Sequence, residues 1–531
     1  MTCETTIAPV KEREYLIHPE EGNGEFSIPL AQQISNVSNG SCLLELRDAF
    51  QGIPGLVYPN EDQILGVLQA AEQCDIREST ISIQTGDGTI VDETTRKLLL
   101  KMRYLGDKCI IIPSFAIPST AKGAAIAEDL IVNYHRGLEV KVFISAAEER
   151  MKVHGWTIDR ITNQARDTIS YLTERYPNRV VSVIEQASQA SDTNLFNMID
   201  MSAEANASGV CLADTLSFFD QEQAFNFIFK IRKYIHDKAY ESEMQGNTIL
   251  AERYRKLRIE YHGHNDFGNA SEAALGAMRA GAVVHTTPGA VNGIGERAGN
   301  ASLKDTYRKA NDFLIRNHSR AVMPEMNVDL LDQAFIDATQ VDPDKYGPDG
   351  ENANTTCAAL HADYVLKIWK RLEAAKIVLE GVREGKTKPI EQLELESSES
   401  MTVEQMLQVW EEMLQRQVDE YSRLLKEGYL PRKGDEAYGE HHFDLNAFSN
   451  EDTIRMYYHE ITGMSPYDLP QRNVDYILWV IKHLNRPLTP LEVEQFLSVD
   501  MNNADQYPWD YVAETHPQYR QTVFSSESNL S

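Results

Sequence analysis

The stretch YHGHND, Tyr261 to Asp266, closes an apolar run with two histidines one residue apart. On a strand, residues two positions apart project to the same face, so His262 and His264 can reach one point together. Neutral imidazole is a good ligand for divalent transition metals, but two ligands leave a site incomplete. Read alone, the pair fits half of a metal site or two polar residues that close a strand. A third ligand is on offer far upstream in LRDAFQGIPG (46–55), where Asp48 ends another apolar run with Arg47 beside it as a fixed cation. That couple also fits a surface salt bridge. The loop VNGIGERAGN (291–300) has three glycines and could bring backbone amides close to a ligand or phosphate, or serve as a tight turn.

These residues meet only if the elements between them close on each other. From about residue 40 to 315, short β-rich runs alternate with amphipathic helical stretches, the pattern of parallel βα units. The runs are SCLLELRD, STISIQT, CIIIPSFA, LEVKVFISA, RVVSVIEQA, GVCLADT, LRIEYHGHND and AVVHTTPG. Between them, stretches such as EDQILGVLQAAEQ and NASEAALGAMRAG repeat apolar residues at three and four. Eight such units predict an α/β chain with a (β/α)8 TIM barrel, a doubly wound open sheet being the alternative. In a barrel, strands one and seven are neighbours across the eighth, so Asp48 can join His262 and His264 at the rim where catalytic groups gather. The other strand ends supply Gln84, Ser114, Ser145, Glu185, Asp214, Thr215 and Thr286.

After about residue 330 the texture changes to a turn-rich stretch and then long charged helices over 362–428, a mainly helical C-terminal linker. The expected division is a weakly ordered N-terminal extension (1–39), the barrel (40–325), a linker subdomain with a helical insertion (326–450), a small helical subdomain (451–515) and a tail (516–531). A formal charge of −29 with pI near 4.9 disfavours nucleic acid and anionic membrane as partners, because the long-range field repels polyanions. There is no apolar run of about 18 residues and no hydrophobic core in MTCETTIAPVKEREYL, so a cytoplasmic protein is expected. The six cysteines show no CxxC spacing and read as free thiols.

Four motifs in order over residues 43–367 carry a family resemblance. LRDAFQ resembles LRDGxQ, HGHNDFG resembles HxHND, GIGERAGN resembles GxGERxGN, and HADYVLK (361–367) resembles H-[AQ]-D-G-V/L-L-K. Together they are similar to the DRE-TIM metallolyase superfamily, and within it to the acyl-CoA-dependent Claisen synthases: 2-isopropylmalate, homocitrate, citramalate and Re-type citrate synthases. The resemblance implies that acetyl-CoA condenses with a 2-oxo acid and that thioester hydrolysis then gives a 2-substituted malate and CoA, a step of amino-acid biosynthesis in a homodimer.

The resemblance further implies one divalent metal (Mn, Zn or Mg) on Asp48, His262 and His264, with Asn300 a further ligand or a contact to the acyl group. Arg47 would neutralise the developing oxyanion, Gln51 and Thr215 would bind substrate, and Gly293, Gly295, Glu296 and Asn300 would form the acyl-CoA loop. His361 would be the base, supplied in such synthases commonly by the partner subunit. Glu185, with Gln186 as the alternative, would take the glutamate position of the family's E-D-x-x-R-x-D stretch. Glu78, or else Thr80 or Ser82, would stand for the glutamate of DRE.

Departures fall where the substrate side chain should sit. Ala49, Phe50 and Tyr364 replace a glycine, a polar residue and a glycine of the family pattern. Phe50 would line an apolar pocket, as in a benzylmalate-type synthase, or pack in the core; Arg150 would be the pocket cation for a diacid. The rivals are an acyl-CoA lyase of the same barrel, which would carry a cysteine in the loop after strand eight where HTTPGAVNGIGERAGN has none, and a non-catalytic metal-binding relative.

Overall fold

The computed structural model describes residues 28–56, 58–83, 90–289, 291–317, 327–357, 359–386, 403–427, 432–433, 436–437 and 442–484. Gln84, the connector over 387–402 and the chain from 485 onward lie outside these residues.

Strands β1 (Cys42–Glu45), β2 (Glu78–Ile83), β3 (Ile112–Pro118), β4 (Glu139–Ser145), β5 (Val180–Glu185), β6 (Gly209–Asp214), β7 (Arg258–Gly263) and β8 (Val283–Thr286) form a closed parallel barrel in chain order. Closure runs through Cys42↔Val284, Leu43↔His285 and Leu44↔Thr286. Each expected strand is present, because a parallel strand covered on both faces must read as a nearly continuous apolar run. β6, GVCLAD, is buried at every position.

The surrounding helices follow their caps and stripes. In the helix Glu61–Gln73 the Asn60 side chain accepts from the backbone of Gln63 while the Gln63 side chain returns to the backbone of Asn60, and Ile64, Val67, Leu68 and Ala71 form the buried stripe. The third strand starts at Ile112 rather than Cys109, because Gly106–Lys108 first makes a 3-10 turn.

Two expectations change. Residues 1–27 of the N-terminal extension lie outside the described residues, and within the rest Leu30–Ser38 is a helix with Val37 fully buried, whose Asn36 amide donates to Arg279 O at 2.8 Å. The first strand ends at Glu45, and the chain turns at once into a short helix, Leu46–Gln51, so Arg47 and Asp48 stand on a helical turn above the strand.

Beyond the barrel, the helices Ala359–Arg383 and Val403–Glu427 pack side by side. The first also lies on the barrel helix Glu148–His154, through a cluster in which Val153 and Leu216 meet Ala362, Val365 and Leu366. A small parallel pair, Thr355–Thr356 with His442–Phe443, brings the later chain back beside the linker. No helix among the described residues is long and apolar enough to cross a membrane.

Candidate active site

One cavity opens at the carboxyl ends of the strands, lined among others by Arg47, Asp48, Gln51, Glu185, Thr215, His262, His264, Glu296 and His361. Asp48, His262 and His264 each turn one ligand atom inward, all within 4.8 Å of one another. The two histidine Nε2 atoms are 3.3 Å apart. Burial pushes His262 down to about 4 and His264 well below its usual range, so both rings are neutral and keep a lone pair for a cation. Burial opposes ionisation of Asp48, yet Arg47, 3.0 Å away, holds its carboxyl well below the usual range.

The donor set fits a divalent metal. Asp48 Oδ2 and Asn300 Oδ1 are buried without a hydrogen-bond partner, a costly state that an ion between them and the histidines would relieve. The glycines of the loop make this approach possible. A Cβ on Gly295 would stand 1.6 Å from Asn300 Oδ1 and 3.1 Å from Asp48 Oδ2, and one on Gly293 would stand 2.4 Å from Thr287 Oγ1. Asn300 is fixed by its backbone, which pairs with His264 and Gly293.

His361 lies on the first turns of the helix Ala359–Arg383 and faces the cavity of its own chain, whereas the resemblance led to a partner subunit's histidine. Its Nδ1 is 3.1 Å from Thr356 Oγ1 and 3.7 Å from Glu296 Oε1. Glu296 Oε1 also accepts from the Thr356 hydroxyl and, at 3.0 Å, from the Cys357 amide. Glu296 thus anchors His361 rather than only shaping the loop. Next to it, Arg297 has a left-handed φ of 56°, is fully buried, and forks onto Asp266 at 2.9 and 3.0 Å while donating to Thr215 O.

The Thr215 hydroxyl accepts from the Gln186 amide at 2.9 Å, which directs its own proton away from the backbone. Gln186 turns its side chain to Ser145 and Gln189, while Glu185 lines the cavity, so the geometry separates the two alternatives. Gln51 lines the cavity and accepts from Arg47 Nη1 at 3.1 Å.

Three expected site residues lie elsewhere. Phe50 is fully buried between Tyr58 and Phe335, with ring centroids at 5.3 and 5.4 Å, because it projects from the back of the Leu46–Gln51 helix. Arg150 sits on the helix Glu148–His154 rather than at a strand end; it pairs with Glu185 at 3.6 Å, lies 5.2 Å over the Tyr364 ring, and is not among the lining residues. Glu78 begins β2 at the opposite mouth of the barrel, where it meets Lys141 and Arg258; Thr80, paired with Ser114 Oγ at 3.0 Å, and Ile83 are the β2 residues that line the cavity.

The deep end of the cavity holds residues that motif reading passes over: Glu45, Lys141, Cys211 and His285. His285 bridges Glu45 Oε2 at 3.0 Å and Glu260 Oε2 at 2.8 Å. Lys141 meets Glu260, Glu78 and Glu139 at 2.9, 3.2 and 3.2 Å. Burial opposes the ionised form of Glu45, but Arg47 and His285 hold it down to about 2. These carboxylates also lie close enough to share a metal, yet Lys141, Arg258 and His285 already supply their countercharge. The signal was present in the sequence: charged residues inside the strands EVKVFIS and RIEYHG, where both faces must be buried.

The chain matches the HMGL-like family over residues 124–318, which include β4 to β8 of the closed barrel. It is similar to 2-isopropylmalate synthase 2 of Caldanaerobacter subterraneus subsp. tengcongensis, 29% identical over 49% of this chain and 58% of that protein. It is likewise similar to a putative (R)-citramalate synthase of Methanopyrus kandleri, 28% identical over 39% and 36%. The chain therefore spans less than two thirds of the length of these relatives. Among solved structures, the carboxyl transferase domain of Rhizobium etli pyruvate carboxylase aligns over 91% of this chain and 82% of that one at 12% identity and TM-score 0.41.

Proposed function

We propose that the chain is a metal-dependent acyltransferase that condenses acetyl-CoA with a 2-oxo acid and hydrolyses the thioester, releasing CoA and a 2-substituted malate. The observation that carries this is the convergence of the Asp48–His262–His264 triad, Arg47 and His361 on one cavity. A divalent metal on that triad, with Asn300 as a further oxygen donor, supplies a Lewis acid for the keto carbonyl. Arg47 neutralises the negative charge that grows on the carbonyl oxygen. Thr215 donates to the substrate carboxylate. His361 Nε2 takes a proton from the acetyl methyl, with Nδ1 held by the Thr356–Glu296 pair, and the carbanion attacks the keto carbon.

The substrate is a 2-oxo monocarboxylic acid with an apolar side chain. Among the described residues, the lysine and arginine that line the cavity are both engaged: Arg47 with Glu45 and Asp48, and Lys141 with three glutamates. Arg150, the candidate for a second carboxylate, is engaged by Glu185 and Tyr364. The remaining wall offers Ile83, Ala116, Phe143, Val183 and Ala213.

Thiol release from acetyl-CoA, followed with Ellman's reagent with Mn or Zn, tests both statements. Release is expected with aliphatic or aromatic 2-oxo monoacids and at least tenfold less with 2-oxo diacids. His361→Ala should abolish release at full metal content, whereas His264→Ala should lower both. No release with any acid, in protein that holds its metal, refutes the synthase reading.

A further inference from the structure

The column of charge behind the site has no part in the steps above, and a barrel interior is ordinarily filled by layers of branched apolar side chains. Replacing a buried ion pair by apolar side chains is often neutral or stabilising, so stability alone is a weak account of this column. Its upper end gives a better one. Glu45 Oε1 accepts from Arg47 Nε at 3.0 Å, while its other oxygen meets His285 Nδ1 at 3.0 Å. His285 Nε2 meets Glu260 Oε2 at 2.8 Å, and Lys141 Nζ meets that same oxygen at 2.9 Å. Arg258 ties Glu260 to Glu78 and Glu139 at the far mouth. Both oxygens of Glu45 are thus committed, and its carboxylate cannot turn without breaking a contact below it.

Arg47 needs such a mount. It stands on a six-residue helix at the rim with its side chain 19% exposed. An arginine there would otherwise keep rotamer freedom that must be surrendered in each turnover. Asp48 and Gln51 hold one end of the guanidinium through Nη1, and among the described residues Glu45 alone holds it through Nε. We propose that Glu45 and His285 are positioning residues: His285, braced on Glu260 and Lys141, locks the Glu45 carboxylate, and Glu45 aims Arg47 at the reacting carbonyl oxygen. This rests on the role given to Arg47 under the proposed function.

The test is a double-mutant cycle on the full metal-loaded chain, with His285→Gln and Arg47→Ala singly and together. The readouts are kcat, KM for the 2-oxo acid, metal stoichiometry by mass spectrometry, and calorimetric affinity for oxalate, which places a charged oxygen where the keto oxygen of the 2-oxo acid becomes an alkoxide. His285→Gln should lower kcat and oxalate affinity about 10- to 100-fold, with KM and metal content within about twofold, because aim matters as charge develops. In the Arg47→Ala background it should cause no further loss. Equal losses in both backgrounds, or an unchanged kcat and oxalate affinity, overturn the proposal. Should His285→Gln not fold, Glu45→Gln run through the same cycle decides on the same criteria. If Arg47→Ala leaves turnover and oxalate affinity intact, the role of Arg47 falls and the clamp with it. A chain without turnover whose oxalate cycle is still non-additive loses the synthase reading and keeps the clamp.

Discussion

Gly295→Ala probes the site through a single methyl group. The added Cβ would lie 1.6 Å from Asn300 Oδ1 and 3.1 Å from Asp48 Oδ2. Carbon and oxygen settle at roughly 3.5 Å, so Asn300 must withdraw by about 2 Å. It cannot do so by a side-chain turn alone, because its backbone pairs with His264 and with Gly293, whose amide donates to Asn300 O at 3.2 Å. The Gly52 backbone also presses on Gly295, and a Cβ on Gly52 would stand 2.0 Å from the Gly295 carbonyl carbon, so the loop cannot retreat in that direction. Overpacking of this kind costs about 1–3 kcal/mol. The chain should therefore fold, but with the Asp48–His264–Asn300 spacing opened and Asn300 displaced. We expect metal affinity to fall at least tenfold and thiol release at least about a hundredfold, since a shift of about 1 Å in a reacting geometry costs that much. Metal content after dialysis against a graded chelator, thermal denaturation and thiol release read the three effects separately. Gly66→Ala, whose Cβ meets nothing within 4 Å on an exposed helical surface, is the control and should stabilise by about 0.5–1 kcal/mol. A Gly295→Ala protein with full metal and undiminished turnover would refute the placement of Asn300 beside the triad.

Two further outcomes follow from packing and charge. Phe50→Leu should cost about 1–2 kcal/mol in denaturant unfolding, because the ring is wedged between Tyr58 and Phe335, and should leave the ranking of 2-oxo acids unchanged; an altered ranking would place Phe50 in the substrate pocket after all. Burial, with Arg150, Lys367 and Arg371, pushes His154 down to about 3 from its ordinary 6.5. The unfolded chain then binds a proton that the folded chain refuses, so stability is present above pH 6.5 and is lost as pH falls towards 3. Solvent reaches part of the ring, so the loss between pH 6.5 and 5 should stay below about 2 kcal/mol, and His154→Gln should flatten the slope in urea titrations at those two pH values. An unchanged slope would show that His154 is not the group responsible.

Much of this protein is set by local pattern. Strands covered on both faces had to be continuous apolar runs, so VVSVIE and GVCLAD mark their own places, and the period of two sends His262 of β7 and His264, one residue past its end, to the same side. The helix Glu61–Gln73 is legible from its apolar stripe. Chain order and eight βα units sufficed to bring Asp48 towards the histidines, because closure makes the first and last strands neighbours.

What the tertiary structure decided are questions of facing and distance. LRDAFQ carries no mark that separates a strand end from a helical turn; only the turn sends Asp48 inward and Phe50 backward. Glu185 and Gln186 are adjacent in sequence, and the left-handed φ of 52° at Gln186 separates their directions. His361 joins its own chain's cavity because helix Ala359–Arg383 docks on Glu148–His154, a contact between segments about 200 residues apart that no local period encodes. The charges of Lys141, Glu260 and His285 were visible one by one, but a charge buried in a strand states only that a partner must exist. Which partner it is depends on closure of the barrel, which places β1, β4, β7 and β8 around one axis and so joins Lys141 through Glu260, His285 and Glu45 to Arg47.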